Sequence, residues 1–552
     1  MSHRPPLAAA RRLPALLAAA ALAAGAGLAP DSLAAEADEA AEAGILLFGN
    51  AAEPPSLDPH LNTSVNGNRV ISALLEGLVA YHPSDDSLPE PGMAETWESD
   101  EDATVWTFHL REAQWSNGDL VAAQDFVYAF QRMLTPELGA SYAKMLYALD
   151  GAEAFHAGQT DDFSEVGAKA LDERTLRLEL SGPTPHFLNM LKHHAWYPVH
   201  PPTIEAYGGM AKPDSNWTRE AYVGNGPFVL EEWTINQIIA VRKNPRYWDA
   251  DRVALEGIRF LPVENSRTED RLFNTGGLHY ANTIPSDLIP HYKEGDDPAL
   301  RIEPYLGTYF YRFNTQRPPL DDPRVRQALS LAINRRALVR LVTKGGQPPA
   351  ASFTPPGIAE YEPPERVAYN PRKARQLIAE AGYPDGEGLR PLRLVYNTSE
   401  SHKDIAEAIQ QMWRNVLGVE TSLSNQEWKV YLSTVSQLDY DIARAAWIGD
   451  YLYPDTFLAM WQTGDGNNST GWSSPEYDRL LQASFREGDP KRRLGLLRQA
   501  EEILLEALPI APIYHYTRIY RLDPRVQGWH PKLLDNHPFK SVSFRSAPPE
   551  AR

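Results

Sequence analysis

Trp106, Phe108 and Leu110 alternate with Thr107, His109 and Arg111, a period of two that predicts a strand with the first set buried. Ser116-Asn117-Gly118-Asp119 follows as a turn, since Asn and Gly tolerate positive φ, and Phe126, Phe130 and Met133 then fall at helical spacing. The pattern recurs down the chain. Asp172-Glu173-Arg174 precedes the alternation of Leu176, Leu178 and Leu180. Tyr309, Tyr311 and Phe313 share one strand face, with Thr308, Phe310 and Arg312 on the other. From Pro323 a helix is predicted, with proline in its first turn and Val325, Leu329 and Ile333 on one stripe. Leu392 to Tyr396 reads as a strand, Ile405 to Leu417 as a helix and Gly418 as its stop. Many short strands alternating with amphipathic helices predict an α/β fold. No fixed-period repeat or low-complexity linker separates the pieces, so the lobes must be interwoven or tightly apposed.

The 552 residues suffice for two or three lobes, and 43 % hydrophobic with 23 % charged is an ordinary globular composition. Arg4, Arg11 and Arg12 lead into an apolar run from Leu13 to Leu28 and then Ser32-Leu33-Ala34, the layout of a removable signal peptide over residues 1–34. Pro14, Gly25, Gly27 and Pro30 interrupt the run, which is too short to span a membrane comfortably. Arg11-Arg12 raises the twin-arginine route, but the surrounding residues fit that signal poorly, which leaves the export route open. With no cysteine, neither a disulfide nor a lipid-modified cysteine can form, and a soluble periplasmic monomer is the expected product. Cleavage after Ala34 removes three arginines and one aspartate, taking the formal charge from −19 to −21. Such a surface repels phosphate backbones, so nucleic acid is not an expected partner.

Catalytic motifs are missing: there is no Gly-x-Ser-x-Gly elbow, no His-Glu-x-x-His helix and no Walker-type phosphate loop. Absence of cysteine also rules out thiolate catalysis and Cys-ligated zinc. His193-His194, read as a strand, would point to opposite faces and suggest no third metal ligand, so both are expected to be ordinary surface or core histidines. Asp465-Gly466-Asn467-Asn468-Ser469 lacks the spacing of a calcium loop and reads as a polar turn. Asp85-Asp86 and Asp321-Asp322 receive no acid or base role. No enzymatic activity, metal or cofactor is therefore expected. What remains is Trp428 and the run Arg444-Ala445-Ala446-Trp447-Ile448-Gly449-Asp450-Tyr451, which joins a fixed cation, flat aromatic walls, a small-residue backbone and a carboxylate. Those residues fit a ligand site and equally an internal Arg444–Asp450 ion pair flanked by core tryptophans.

Trp106 to Arg111, followed by Trp115-Ser116-Asn117-Gly118 and Asp125-Phe126-Val127-Tyr128, resembles the signature of the solute-binding proteins of oligopeptide and dipeptide ABC importers. Further matches occur in order: Ser56-Leu57-Asp58-Pro59-His60, Asn225-Gly226-Pro227-Phe228, Asn244 to Trp248, Arg324 to Leu329 and Glu380-Ala381-Gly382-Tyr383. Tyr396 to Glu400, Asn425 to Lys429 and Arg444 to Tyr451 place the likeness nearest the oligopeptide branch. The resemblance implies a periplasmic-binding-protein-like fold of two main lobes joined by a two-strand hinge, plus an extra domain. It implies a discontinuous first lobe from 35–75, 202–306 and 517–552, an extra domain from 76–201 and a third lobe from 307–516, hinged near Leu306 and Thr517. It also implies short peptides as ligands and a membrane ABC permease as partner.

For the site, the resemblance assigns Asp450 to the peptide's α-ammonium, with Arg444 beside it and His402 toward the carboxylate end. Ala446 and Ile448 would pair their backbone with the peptide as an added strand. Trp428, Trp447, Tyr142 and Tyr305 would line side-chain pockets, and Val65 belongs to the same set. Three positions depart from close relatives: Val435 replaces an arginine, Arg312 a glutamate and Thr63 another glutamate. Gly307 and Ile448 stand where some relatives place a cysteine pair. The expectation drawn from these departures is that Arg312, directed with Phe310 toward the cleft, takes the ligand carboxylate, against the alternative of an ordinary ion pair. Murein peptides, a non-peptide ligand such as a nickel chelate, haem or sugar, and a sensor or chaperone role are the competing readings.

Overall fold

Two long strands, Leu300–Phe313 and Ile510–Leu522, pair antiparallel through the middle of a ten-stranded sheet. The computed structural model that shows this describes residues 30–358 and 360–545, with side chains from Glu36 onward. Residues 1–29, most of the expected signal peptide, lie outside the described residues, and the helix Pro30–Glu42 runs across the expected cleavage point. Among the described residues no helix is long and apolar enough to cross a membrane.

The ladder between the long strands runs from Leu300–Arg521 to Pro304–Thr517, breaks, and resumes from Thr308–His515 to Arg312–Ile510. Pro304 has no N–H to give. Leu306 turns its own backbone elsewhere, donating to the Leu533 carbonyl at 2.8 Å and accepting from the Gly449 N–H at 2.8 Å. Four residue steps on one strand therefore face two on the other, a bulge that bends the sheet. On one side of the break the sheet continues through Tyr280–Ala281, Ile45–Gly49, Gly257–Leu261, Ile238–Lys243 and Phe228–Thr234. On the other side it continues through Ile442–Ile448, Leu392–Asn397 and Thr421–Gln426.

Both faces of this second half are covered, as expected where strands pair in parallel with intervening helices. Tyr309, Tyr311 and Phe313 pack with Ile405, Ile409 and Trp413 of the helix Glu400–Leu417 and with Val325 and Leu329 of Pro323–Leu331. Phe310 packs on the other face with Phe353, Phe457 and Trp461. The helix Glu400–Leu417 begins five residues before the sequence pattern does, because its first turn is polar and carries no apolar stripe. It stops at Gly418, whose φ of +67° and close approach to the Asp385 carbonyl leave no room for a Cβ.

A separate four-stranded antiparallel sheet has the order Ala94–Ser99, Val105–Leu110, Thr175–Glu179, Ala168–Ala170. Trp106, Phe108, Leu110, Leu176, Leu178 and Leu180 are buried there, together with Phe126, Phe130 and Met133 of the helix Ala123–Leu134. Asp125 fixes the start of that helix, accepting from the Ala122 N–H and the Trp115 indole, each at 3.0 Å. Arg132 near its end forms a fully buried pair with Asp58, at 2.9 and 2.6 Å. This pair ties the four-stranded unit to the first part of the chain.

Candidate ligand-binding site

The strand Ile442–Ile448 pairs along its whole length with Gly307–Phe313, but on its other edge meets Leu392–Asn397 only at Ile442 and Ala443. The Gly449 N–H donates to Leu306, and the Asn314 N–H donates to Asp441 across the same ladder. Antiparallel alternation between those two bonds turns the N–H and C=O groups of Ala443, Ala445 and Trp447 toward the paired strand. Those of Arg444, Ala446 and Ile448 face the other edge. The Arg444 carbonyl there accepts from the Tyr431 hydroxyl. No strand partner meets Ala446 or Ile448 on that edge among the described residues. Opposite Ile448 lies Gly307, where a Cβ would collide with the Ile448 side chain.

Asp450 stands just beyond one end of this edge. Its carboxylate receives the Tyr142 hydroxyl at 3.4 Å and the Thr456 hydroxyl at 3.3 Å, and lies 3.4 Å from Nε2 of His193. Burial and the neighbouring Asp450 hold the Tyr142 phenol well above its ordinary pKa, so it stays a donor. A cavity of about 420 Å³ opens here, walled by Tyr142, Trp447, Tyr451 and Tyr453, with Asp465 and His186 also on its surface.

Arg444 marks the other end. Its guanidinium lies 4.8 Å from the Tyr309 ring centroid, donates to the Tyr516 hydroxyl at 3.0 Å and reaches Asn397 at 3.4 Å. Among the described residues no carboxylate lies within 4.0 Å of it, and its Nε has no partner. The internal Arg444–Asp450 ion pair considered from the sequence is thus not formed. His402 sits beside it, with Nδ1 3.5 Å from the Tyr309 hydroxyl. Burial, reinforced by the Arg444 charge, drives the His402 pKa well below its ordinary value, so the ring is neutral. A second cavity of about 170 Å³, lined by Tyr305, Tyr516 and Arg518, adjoins this end.

The remaining expected residues divide. Trp428 opens the helix Trp428–Ser436 and stacks on Tyr431 at 5.7 Å, its indole nitrogen buried and without a partner. Val65 is 41 % exposed at the start of its helix and lines neither cavity. Phe310 does not face a cavity: it is fully buried against Phe353 and Trp461, at 5.1 and 5.7 Å. Strand alternation cannot separate a cleft face from a core face when helices cover both. Arg312 lies on the Phe310 face, opposite Arg444, and donates to the Asn467 carbonyl at 3.3 Å. It too has an unpartnered Nε and no carboxylate within 4.0 Å among the described residues, so the expected alternative of an ordinary ion pair is absent.

The strand reading of His193-His194 is corrected. They begin a single 3-10 turn, His194–Trp196, with His193 as its cap, and their rings lie 4.1 Å apart instead of on opposite faces. His194 is a core residue, hydrogen-bonded to the Pro59 carbonyl at 2.7 Å. His193 reaches the site. Among the described residues no group of three or more His, Asp or Glu side chains could hold a metal ion.

The model of the bacterial extracellular solute-binding proteins, family 5, matches residues 89–469. The chain belongs to this family. The periplasmic oligopeptide-binding protein OppA of Salmonella typhimurium is 36 % identical over 89 % of this chain and 91 % of its own. Haemophilus influenzae OppA in complex with RPPGFSPFR superposes with a TM-score of 0.86 at 32 % identity, covering 92 % of this chain and 99 % of its own. The lobed α/β architecture of this family member is that of its neighbours. Escherichia coli murein tripeptide binding protein MppA also gives 0.86 at 32 % identity, over 91 % of this chain and 99 % of its own. MppA in its unliganded open form gives only 0.61, at 33 % identity and 91 % and 98 % coverage. Similar chain lengths are matched in both cases, so the difference lies in how the lobes are disposed. This chain is thus disposed unlike that open form, and His193 and Tyr142 stand on Asp450.

Proposed function

We propose that the chain is a non-enzymatic receptor of the bacterial periplasm that binds short peptides in its interlobe cleft and delivers them to an ABC import permease. The observation that carries this reading is the free strand edge at Ala446 and Ile448, bounded by the Asp450 carboxylate at one end and the Arg444 guanidinium at the other. A peptide added along that edge gains main-chain hydrogen bonds that do not depend on its side chains. Its α-ammonium meets Asp450. Its carboxylate, running back along the strand, meets Arg444 and the neutral donor His402. The six steps from Arg444 to Asp450 span about 20 Å when extended. Less the reach of both side chains, that suits ligands of three to five residues.

In this scheme 35–75, 202–306 and 517–552 form one lobe, 307–516 the facing lobe and 76–201 the extra domain. The interrupted pairing between Pro304 and Thr308 is the hinge, where a bulge already relaxes the ladder. Calorimetry with a free tripeptide and its N-acetylated form tests the proposal. Free tripeptide should bind, and acetylation should weaken it strongly. Equal affinities would remove Asp450 from the scheme, and failure of all peptides to bind would overturn the function.

A further inference from the structure

The cavity beside Asp450 extends past it, between residues 141–190 and 447–497, and its volume of about 420 Å³ far exceeds what an α-ammonium fills. Resting on the peptide reading above, we propose that this cavity takes the lysine or arginine side chain of a ligand's first residue, recognised by Asp465 and Asp455.

Its donors and acceptors are mismatched in a way that such a group would correct. Asp150, Glu153, Asp450, Asp455 and Asp465 line it, against the fixed cations Lys144, Arg486 and Arg493. Arg486 stands at the rim, and Lys144 and Arg493 are held by main-chain carbonyls, with Arg493 also facing the Tyr453 phenol on the cavity wall. Lys144 donates to the Thr463 carbonyl at 3.0 Å, Arg493 donates to the Pro183 and Glu487 carbonyls, and Arg486 is exposed. Among the described residues, no lysine or arginine nitrogen lies within 4.0 Å of Asp455 or Asp465.

Asp455 is 4 % exposed, its carboxylate faces the Tyr451 phenol, and its Oδ1 has no hydrogen-bond partner of its own. His186, its side chain 9 % exposed, places Nε2 at 3.3 Å from Asp455 Oδ2 and stacks on Tyr453 at 4.0 Å, while its Nδ1 is also unpartnered. The Nε2 contact turns a ring N–H toward Asp455. An unpartnered buried carboxylate oxygen, beside the Asp465 carboxylate on the same cavity, calls for a group that only donates. Ammonium and guanidinium are such groups. Tyr142, Tyr147, Trp447 and Tyr453 supply flat walls for the alkyl stem and for the cation.

Asp465 is also set to respond to a cation. Burial pushes its carboxyl up to about 7, against the Asn467 N–H that donates to it at 2.8 Å. Lys144 faces it with one charge and Asp450 with the opposite one, and the phenols of Tyr142, Tyr147 and Tyr477 complete its surroundings. A cationic ligand group favours the ionised form, so recognition strengthens as pH rises through this range.

The test is calorimetry of Lys-Ala-Ala, norleucine-Ala-Ala and Ala-Lys-Ala on the wild type, Asp465→Asn and Asp455→Asn at pH 6 and pH 8, with circular dichroism to verify folding. Lysine in first position should outbind norleucine by about tenfold at pH 8, with a smaller ratio at pH 6. Asp465→Asn should cut the pH 8 ratio to about threefold or less, and Asp455→Asn should lower it too. Equal binding of lysine and norleucine by the wild type overturns the inference even if a variant misfolds. So does a ratio unchanged in folded variants, or a preference confined to Ala-Lys-Ala. Those outcomes leave peptide binding standing. Absence of binding by all three peptides overturns the peptide reading and this inference with it.

Discussion

Nε2 of His193 stands 3.4 Å from Oδ1 of Asp450, joining a turn beside the four-stranded unit to the end of the open strand edge. In the proposed scheme this is the amino-end subsite, where His193 and Tyr142 share the Asp450 carboxylate with the ligand ammonium. A charge-assisted hydrogen bond to a buried carboxylate contributes about 1.5–3 kcal/mol. Asp450→Asn should weaken free-amine tripeptides by about 10- to 100-fold, the same energy expressed as affinity. The N-acetylated peptide, which carries no ammonium, should lose far less. Calorimetry of both peptides on both proteins isolates the term, and parallel losses would place the effect in folding.

Arg444 gives the corresponding test at the other end. Its Nε is buried and unpartnered, so a ligand carboxylate would satisfy a group that the protein leaves open. Arg444→Met keeps much of the stem that lies over Tyr309 and removes the charge. It should weaken peptides with a free carboxylate by about 1.5–3 kcal/mol and their C-terminal amides by much less. Arg312→Ala provides the comparison on the opposite face. A larger loss from Arg312→Ala than from Arg444→Met, across peptides of two to five residues, would reassign the carboxylate.

Stability should depend strongly on Arg132, which is fully buried with Asp58 and His60. Arg132→Met leaves Asp58 buried with the Trp217 indole at 3.1 Å and no cation. Breaking one side of such a pair costs about 3–5 kcal/mol. Urea denaturation should show that loss, with the denaturant dependence unchanged if unfolding exposes the same surface.

The sequence resolved what repeats locally and missed what is assembled at a distance. Period-two alternation correctly placed Trp106, Phe108, Leu176 and Leu178 in a buried sheet, and helical spacing correctly placed Phe126, Phe130 and Met133 against it. Tyr309 and Phe310 were correctly put on opposite faces, yet alternation carries no record of which face is core, and Phe310 proved to be interior. The Arg444 to Tyr451 run was legible as chemistry because cation, carboxylate and aromatics are adjacent in sequence. His186 and Tyr516 were not, since each comes to the candidate site from another part of the chain, and His193, singled out beside His194, gave no sign that it would meet Asp450. Asp465 read as part of a polar turn, and the turn is real; what the sequence could not show is that its carboxyl lines a cavity.

His60 makes the last prediction, about acid. Its Nδ1 lies 2.8 Å from the Arg132 guanidinium and its Nε2 3.2 Å from the Tyr197 carbonyl, an arrangement that suits only the neutral ring, with Nδ1 accepting and Nε2 donating. Burial first, and then the Arg132 charge, depress its pKa to about 4. The unfolded chain, with an ordinary histidine near about 6.5, takes up a proton that the folded chain refuses between those values. The stability His60 contributes is therefore complete above about 6.5 and is lost as pH falls toward 4, to a limit of about 3 kcal/mol. Glu269 and Glu501, raised to about 7 by burial, act with the opposite sign over part of the same window, so absolute stability is a poor readout. The difference between wild type and His60→Gln removes them. Urea titrations at pH 7.5 and 4.5 should show a smaller acid loss in the variant, and an equal loss in both proteins would show that His60 already carries its proton in the folded state.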